Sequence, residues 1–233
     1  MDDEARVARY RKLREERPEL FTNPPGAPFP ILSEPDEVAA AEAQFGQQLE
    51  AHGMPAAWAL HGVVYEDPFQ IILRDPVRTP SGHLGTYVRR VARNTDGVVV
   101  LPRHGDHVIL VRHFRHSTRQ WHLELPRGFG EKDQTPEQNA ERELREELGA
   151  AAVRTHALGV VQPDTGLTSD TVHLFYVEID LYDAAGEAAE GITGTVRVTP
   201  AELAELIRSG ELNDGFTIAA WSRAVLSGLL PVG

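Results

Sequence analysis

The sequence predicts an α/β protein in which helices flank a mixed sheet. Short apolar stretches with the two-residue alternation of strands occupy much of 69–125, a helical pattern follows at 136–148, and more strands and helices come after it. An apolar content of 41% and a charged content of 25% over 233 residues are typical of a globular chain with a sizeable core. Because helices and strands in this order pack as layers, we expect one sheet covered by helices.

The first part of the chain is predicted to be separate from the main domain, with residues 1–60 as an extension and 61–233 as the domain itself. A charged helix is expected at 3–17, then a Pro-rich extended linker at 22–35 and a second helix at 36–52. We assign no function to this extension and expect it to pack against the main domain or a partner subunit.

In the main domain the alternation of apolar residues predicts each element in turn. Strands are expected at 69–77, 85–92, 97–102, 107–114, 121–125, 153–161, 171–179 and 194–198, and helices at 136–148, 200–209 and 214–228.

The helix after the glycine-rich loop has clear start and stop signals. Thr135 is a good N-cap, Gln138 completes a capping box with it, and Gly149 supplies the end. On a helical wheel Glu147 lies at the edge of the apolar stripe, so we expect this carboxylate to be partly buried. A carboxylate in that position is costly unless it is paired, protonated or bound to a metal ion.

Three carboxylates gather on this helix at offsets of three and four residues, which are neighbouring positions at 3.6 residues per turn. They are Glu143, Glu146 and Glu147. Their oxygen atoms suit Mg²⁺ or Mn²⁺, so the pattern predicts a site for a divalent cation. The alternative is a solvated, charged helix face with ordinary pairs such as Arg142 with Glu146.

The residues of this segment resemble a known family motif, the Nudix box. Gly128, the run Arg142-Glu143-Leu144, the pair Glu146-Glu147 and Gly149-Ala150 match its fixed positions. One fixed position departs from the motif, because Gln134 stands where the family has a Glu that braces the motif Arg. An amide is still able to accept a hydrogen bond from Arg142, so we expect weakened bracing.

The resemblance spans roughly 62–228 and implies the Nudix α/β/α sandwich, with Mg²⁺, or Mn²⁺, as the cofactor for cleaving a phosphoanhydride. It implies that Glu143, Glu146 and Glu147 are metal ligands, with the backbone carbonyl of Arg127 completing the set and Glu146 counted among the catalytic residues as well. The side chain at 127 is often small in relatives, so an Arg there could instead reach a phosphate. Relatives acting on ADP-ribose often carry the general base on a late loop, here 183–193. Glu190 matches that placement best and Glu187 is the reserve; the alternative is that both are simply polar residues of an acidic loop.

The substrate class also comes from resemblance. The stretch 107–128 and residues 213–217 are similar to ADP-ribose and sugar-nucleotide pyrophosphatases, although Pro163 lies closer to the box than that subgroup's usual Pro. The candidate substrate contacts are Arg115, Glu124, Trp121, Phe69 and Asp170. Three of them have a plainer alternative, which is a surface ion pair for Arg115, an inward salt bridge for Glu124 and a core position for Trp121.

Charge and composition narrow the partners. A net charge of −12 argues against nucleic acid and anionic membranes as partners, since both draw affinity from Lys and Arg. The chain has no Cys, no bilayer-length apolar run and no N-terminal pattern resembling a signal peptide, so we expect a cytoplasmic location. The resemblance further implies a homodimer in which strands carrying Tyr65 and Phe69 reach the other subunit. Alternatives to an ADP-ribose pyrophosphatase are an enzyme for another nucleotide conjugate and a catalytically silent ligand sensor.

Overall fold

A computed structural model describes residues 2–93, 95–183 and 191–231. The chain divides into two compact units, Met1–Arg93 with Asp164–Ser169, and Asn94–Pro163 with Asp170–Gly233. Residues 61–93 therefore belong to the same unit as the N-terminal helices. The predicted boundary between an extension at 1–60 and a domain at 61–233 stays a prediction. Among the described residues, no helix combines the length and apolar character needed to cross a bilayer.

The first unit contains the two predicted N-terminal helices and a small antiparallel sheet with the strand order β1-β2-β3. Its elements are α1 (Asp3–Glu16), a 3₁₀ turn (Pro18–Leu20), α2 (Pro35–Ala51), a second 3₁₀ turn (Ala56–Ala59), β1 (Gly62–Glu66), β2 (Gln70–Arg78) and β3 (Leu84–Ala92). The predicted helices and the strands β2 and β3 are confirmed to within two residues. Strand β1 was not predicted, and the sequence did not indicate that these strands form a sheet of their own.

The N-terminal helix is part of this unit's core. Tyr10 is 2% exposed, and its ring contacts Phe21 edge-on at 5.0 Å between centroids. The Tyr10 hydroxyl donates to Oδ1 of Asp75, a buried carboxylate that also accepts from Nε of Arg89 at 2.5 Å. The extension is thus held to the sheet by a buried polar link as well as by apolar packing.

The second unit contains a mixed sheet with the central order β10-β5-β4-β9-β8, in which β6 pairs with β5 and β7 pairs with β4. Its elements are β4 (Thr95–His104), β5 (His107–Arg115), β6 (Gln120–Glu124), β7 (Arg127–Gly130), α3 (Pro136–Leu148), β8 (Ala152–Val161), β9 (Val172–Ile179), β10 (Ile192–Val198), α4 (Pro200–Ser209) and α5 (Gly215–Leu226). The pair β4–β9 is parallel and the other pairs are antiparallel, so the sheet is mixed as predicted.

Helices cover both faces of this sheet. On one face Leu144 and Leu148 of α3 pack with Ile109 and Val111 of β5. On the other face α4 and α5 pack against the alternate residues of the same strand, among them Leu110. Because β5 is covered on both sides, it has a continuous apolar run instead of a polar face. The three layers form an α/β/α sandwich, which confirms the predicted fold class.

The helix α3 begins and ends where its capping residues predict. The hydroxyl of Thr135 accepts from the N–H of Gln138, and the Gln138 side chain accepts in return from the Thr135 N–H. Gly149 ends the helix with a φ of +59°, a left-handed conformation that glycine adopts without strain. Strand β7 was not predicted, because Pro126 and two glycines gave that segment the composition of a loop.

Candidate functional site

Two of the three box glutamates are buried. Glu143 is 5% exposed and Glu147 is 3% exposed, whereas the Glu146 side chain is 47% exposed. Helical geometry explains the division, since Glu147 and Glu143 lie along one edge of the apolar stripe that packs on the sheet and Glu146 lies farther around the helix. The burial expected for Glu147 is confirmed, and Glu143 shares it.

The glycine-rich strand β7 makes room for one of these carboxylates. A Cβ atom at Gly128 would overlap Oε1, Cδ and Oε2 of Glu143. Glycine is therefore required at 128 because the carboxylate of α3 lies directly against the backbone of the strand.

A single arginine contacts two carboxylates of the box. A terminal nitrogen of Arg142 lies 2.6 Å from Oε1 of Glu143, and the other lies 2.5 Å from Oε2 of Glu146. Arg142 also donates to the carbonyl of Phe129 in β7 at 2.7 Å. Burial alone would lower the pKa of the Arg142 guanidinium, but the charges of Glu143 and Glu146 raise that pKa above its ordinary value. Arg142 thus ties the helix to the strand and holds two glutamates in place.

The brace expected from Gln134 is arranged differently. The Gln134 amide donates to Oε2 of Glu131 at 2.7 Å, and Oε1 of Glu131 lies 3.8 Å from Nε of Arg142. Gln134 thus acts as a donor to Glu131, and the weakened bracing that we expect from it stays a prediction. A carboxylate still lies beside the motif Arg, but Glu131 supplies it and Gln134 orients it.

The donor set at this site fits a hard divalent cation. Three carboxylates lie within one helix, two of them are buried, and the backbone carbonyl of Arg127 belongs to the strand that adjoins them. Over residues 2–93, 95–183 and 191–231, no three His, Asp or Glu side chains are already gathered as a ready-made metal site. In this structure Glu143 and Glu146 are instead paired with Arg142. Their assignment as ligands stays a prediction.

A second group of charges surrounds Glu124, which is 1% exposed. Its Oε1 lies 2.6 Å from Arg115 and 3.0 Å from Nδ1 of His113, and its Oε2 lies 2.8 Å from Arg127. Burial raises the pKa of the Glu124 carboxyl, although the positive charges of Arg127 and Arg115 act in the opposite direction. The inward salt bridge proposed as the alternative for Glu124 is present, and it includes Arg115.

Sequence reasoning missed two members of this group. His113, which is not among the candidate residues predicted from the sequence, is 7% exposed and contacts Glu124. Asp214 was treated only as part of a motif, yet its Oδ1 accepts from Arg127 at 2.8 Å. The sequence held a signal for Asp214, since an Asp three residues before Thr217 is a typical N-cap pattern.

Trp121 lies on the other face of the hairpin from Glu124. In the β5–β6 register Phe114 pairs with Trp121, whereas Val111 pairs with Glu124, and neighbouring positions of a strand face opposite sides. The Trp121 ring contacts Phe114 edge-on and lies 4.8 Å from the Arg112 guanidinium. Trp121 is 45% exposed, so it is not a core residue. The structure therefore separates Trp121 from Arg115 and Glu124, which we had grouped as contacts of one substrate.

The remaining candidates are placed as follows. Phe69 lies in the β1–β2 turn of the first unit, 65% exposed, where its N–H donates to Asp67 at 2.8 Å. Asp170 is half-buried and lies two residues before the start of β9. Glu187 and Glu190, the candidates for the general base, lie outside the described residues. The functional roles of all four stay predictions.

Comparison with known proteins identifies the family. Residues 92–215, just over half of the chain, match the model of the NUDIX domain. The chain therefore belongs to the Nudix family, whose hydrolases generally depend on a divalent metal ion.

Two curated relatives and one solved structure are similar to this chain. The ADP-sugar pyrophosphatase of Mus musculus is 37% identical over 100 residues, which cover 41% of this chain and 46% of that protein. The chain thus spans less than half of the mouse protein. The ADP-ribose pyrophosphatase of Bacillus subtilis (strain 168) is 28% identical over 149 residues, which cover 63% of this chain and 80% of that protein. A crystal structure of an ADP compounds hydrolase superposes with a TM-score of 0.62 at 22% identity, covering 72% of this chain and 91% of that one, and it supports the fold alone.

Proposed function

We propose that this protein is a metal-dependent pyrophosphohydrolase that cleaves the diphosphate bridge of a nucleoside diphosphate sugar, with ADP-ribose as the first choice and AMP and ribose 5-phosphate as its products. The observation that carries the proposal is the burial of Glu143 and Glu147 against the glycine-rich strand. The activities named for the mouse and Bacillus subtilis relatives support the substrate class.

The chemistry requires water to attack one phosphorus while the bridging oxygen leaves with the other phosphate. A bound divalent cation, for which we propose Mg²⁺ or Mn²⁺, neutralises charge that develops on the phosphate oxygens and makes water more acidic. Glu143, Glu146, Glu147 and the carbonyl of Arg127 are proposed to hold it.

The protein's own residues supply the remaining steps. Arg142 keeps Glu143 and Glu146 together on α3, and Gly128 leaves space for the Glu143 carboxylate. Glu190, or Glu187 in reserve, is proposed to accept the proton of the attacking water. Arg115 keeps 27% of its side chain exposed beside Glu124, and this exposed part is proposed to contact a substrate phosphate. A homodimer and a cytoplasmic location belong to the same proposal.

Product analysis tests the proposal directly. The protein is incubated with ADP-ribose, NADH, GDP-mannose and diadenosine polyphosphates, with and without Mg²⁺, and products are separated by ion-exchange chromatography. We expect metal-dependent release of AMP from ADP-ribose. Turnover of a different conjugate would keep the reaction and change the substrate, whereas binding of ADP-ribose without turnover of any compound would indicate a ligand sensor.

A matched pair of variants tests the role of the box. Glu147→Gln removes a buried carboxylate, and Glu141→Gln makes the same change at an exposed position of the same helix. We expect Glu147→Gln to lower kcat by about 100-fold or more, a scale typical for loss of one transition-state-stabilising group, and Glu141→Gln to retain wild-type activity. Equal activities would contradict the assignment.

A further inference from the structure

The side chain of Arg127 is fully engaged within the second unit. It donates to Oε2 of Glu124 and to Oδ1 of Asp214, each at 2.8 Å, and its guanidinium lies 4.9 Å from the centre of the Phe216 ring. Only 17% of the side chain is exposed. These three contacts fix the orientation of the guanidinium, because its planar group already binds two carboxylates. We call the ion pair of Arg127 with Asp214 the strut.

The main chain at the same residue contacts helix α3. The N–H of Arg127 points to Oε1 of Glu147 at 3.4 Å, and the next residue, Gly128, lies against the carboxylate of Glu143. The position of two buried box glutamates therefore depends on the course of the backbone through 127 and 128. Strand β7 is only four residues long, so its ladder with β4 provides few hydrogen bonds to fix that course.

Asp214 connects the strut to a rigid element. It is the N-cap of α5, and its Oδ2 accepts from both the N–H and the hydroxyl of Thr217 while Oδ1 holds Arg127. The Thr217 hydroxyl in turn accepts from the N–H of Leu125 at 3.0 Å. The start of α5 is thus joined to the first residue of β7 through Asp214 and to the segment before β7 through Thr217.

We propose that Arg127 is a positioning residue: through Asp214 it anchors the strand beside the box to the N-terminus of α5, and so fixes the backbone against which Glu143 and Glu147 are set. The proposal rests on the proposed function, since it assigns Arg127 a role in arranging the cation site. It also separates the two roles open to an arginine at this position, because a side chain that serves as this strut does not bind substrate phosphate.

The test uses the full chain with Mn²⁺ alone, and then with ADP-ribose. Arg127→Met keeps much of the side-chain length and removes the charge, Arg127→Lys restores a charge without the planar fork, and Arg154→Met is the control. Arg154 is 65% exposed and pairs with Glu178 at 3.7 Å. The Arg154→Met variant therefore also removes an arginine ion pair, but one that lies outside the box and outside the contacts of Arg127. Mn²⁺ affinity is measured by calorimetry without substrate, and kcat and KM are measured separately.

We expect Arg127→Met to weaken Mn²⁺ binding by about 10-fold or more, the scale seen when a residue supporting metal ligands is lost. Its kcat falls while KM for ADP-ribose stays within about twofold of wild type, Arg127→Lys recovers part of both losses, and Arg154→Met behaves as wild type. Unchanged Mn²⁺ affinity in Arg127→Met, or a raised KM with unchanged kcat, would overturn the proposal, the latter in favour of a phosphate contact.

Asp214→Asn provides a second route that does not depend on how Arg127 variants fold. Asparagine is as good an N-cap as aspartate, so α5 keeps its start while the charged partner of Arg127 is lost. We expect weaker Mn²⁺ binding in this variant, and no further loss when it is combined with Arg127→Met. If the losses of Mn²⁺ affinity in the two single variants multiply in the double variant, Arg127 and Asp214 act independently and the shared strut is refuted. If the wild-type protein neither binds Mn²⁺ nor turns over any substrate, the proposed function fails. If the wild-type protein does both and the variants behave like it, only the positioning role of Arg127 fails.

Discussion

The carboxylate of Glu143 lies against the Cα of Gly128, in the space that a side chain at 128 would occupy. Helix α3 and strand β7 approach each other this closely because one has a carboxylate where the other has no Cβ. The glycine of the box therefore has a steric role that follows from the position of a single glutamate.

We expect Gly128→Ala to lower activity strongly while changing stability little. The added Cβ displaces only the end of a flexible side chain, so we expect the unfolding free energy to change by less than about 1 kcal/mol. Activity on ADP-ribose should fall by about 100-fold, because Glu143 can no longer keep its position and a misplacement of 1 Å at a reacting site costs about that much. Urea unfolding and initial rates measure the two effects.

Gly215→Ala is the matched control for that variant. A Cβ at Gly215 meets no atom within 4 Å, and the residue begins α5, where alanine is tolerated. We expect both activity and stability to stay near wild type. Comparable activity losses in the two variants would show that the contact with Glu143 is unimportant.

Asp75 should be one of the most sensitive positions of the first unit. It is 2% exposed, and Asp75→Ala leaves the Arg89 guanidinium and the Tyr10 hydroxyl without their shared acceptor. We expect a loss of about 3–5 kcal/mol in unfolding free energy, the usual result of removing one partner of a buried ion pair. Asp106→Ala, at a side chain that is 96% exposed, should cost less than about 0.5 kcal/mol. A small effect at Asp75 would mean that this buried link contributes little to holding the extension on the sheet.

The same link predicts a loss of stability in alkali. Burial, followed by the charge and hydrogen bond of Asp75, raises the pKa of the Tyr10 hydroxyl well above its ordinary value. Above pH of about 10 the unfolded chain loses this proton while the folded chain keeps it, so the stabilisation is complete below that pH and is lost as the pH rises. The difference in unfolding free energy between wild type and Tyr10→Phe should be constant up to about pH 9 and shrink beyond pH 10.

Phe21→Leu is the control for the alkaline experiment. Phe21 packs against Tyr10 but has no proton to lose, so its substitution should lower the unfolding free energy by a similar amount at every pH. A Tyr10→Phe difference that stays constant up to pH 11 would contradict the raised pKa.

Local signals in the sequence predicted the elements that are decided locally. The caps Thr135 and Gly149 correctly bounded α3, and the helical wheel correctly predicted the burial of Glu147. These features depend on residues within one or two turns of helix, which is why a single sequence is sufficient for them.

Side-chain partners across the fold were not predictable in this way. Arg127 and Asp214 are 87 residues apart, and nothing in their local sequences shows that they meet. Trp121 and Glu124 are close in sequence, yet the strand register places them on opposite faces. Strand β7 was missed because its two glycines are typical of a loop, although one of them, Gly128, is needed for the approach of Glu143.

The departure at Gln134 predicts a compensating pair of substitutions. Glu131 is 59% exposed and lies 3.8 Å from Arg142, so its ion pair is weak, and Glu131→Gln should lower activity only about two- to fivefold. Gln134→Glu alone places a second carboxylate beside Glu131, where the present hydrogen bond is 2.7 Å long, and like charges at that distance repel. The double variant Glu131→Gln with Gln134→Glu moves the carboxylate to position 134 and keeps one amide and one acid, so it should regain wild-type kcat and KM. If the activity loss of the double variant equals the product of the losses of the two single variants, Glu131 does not replace the missing glutamate of the box.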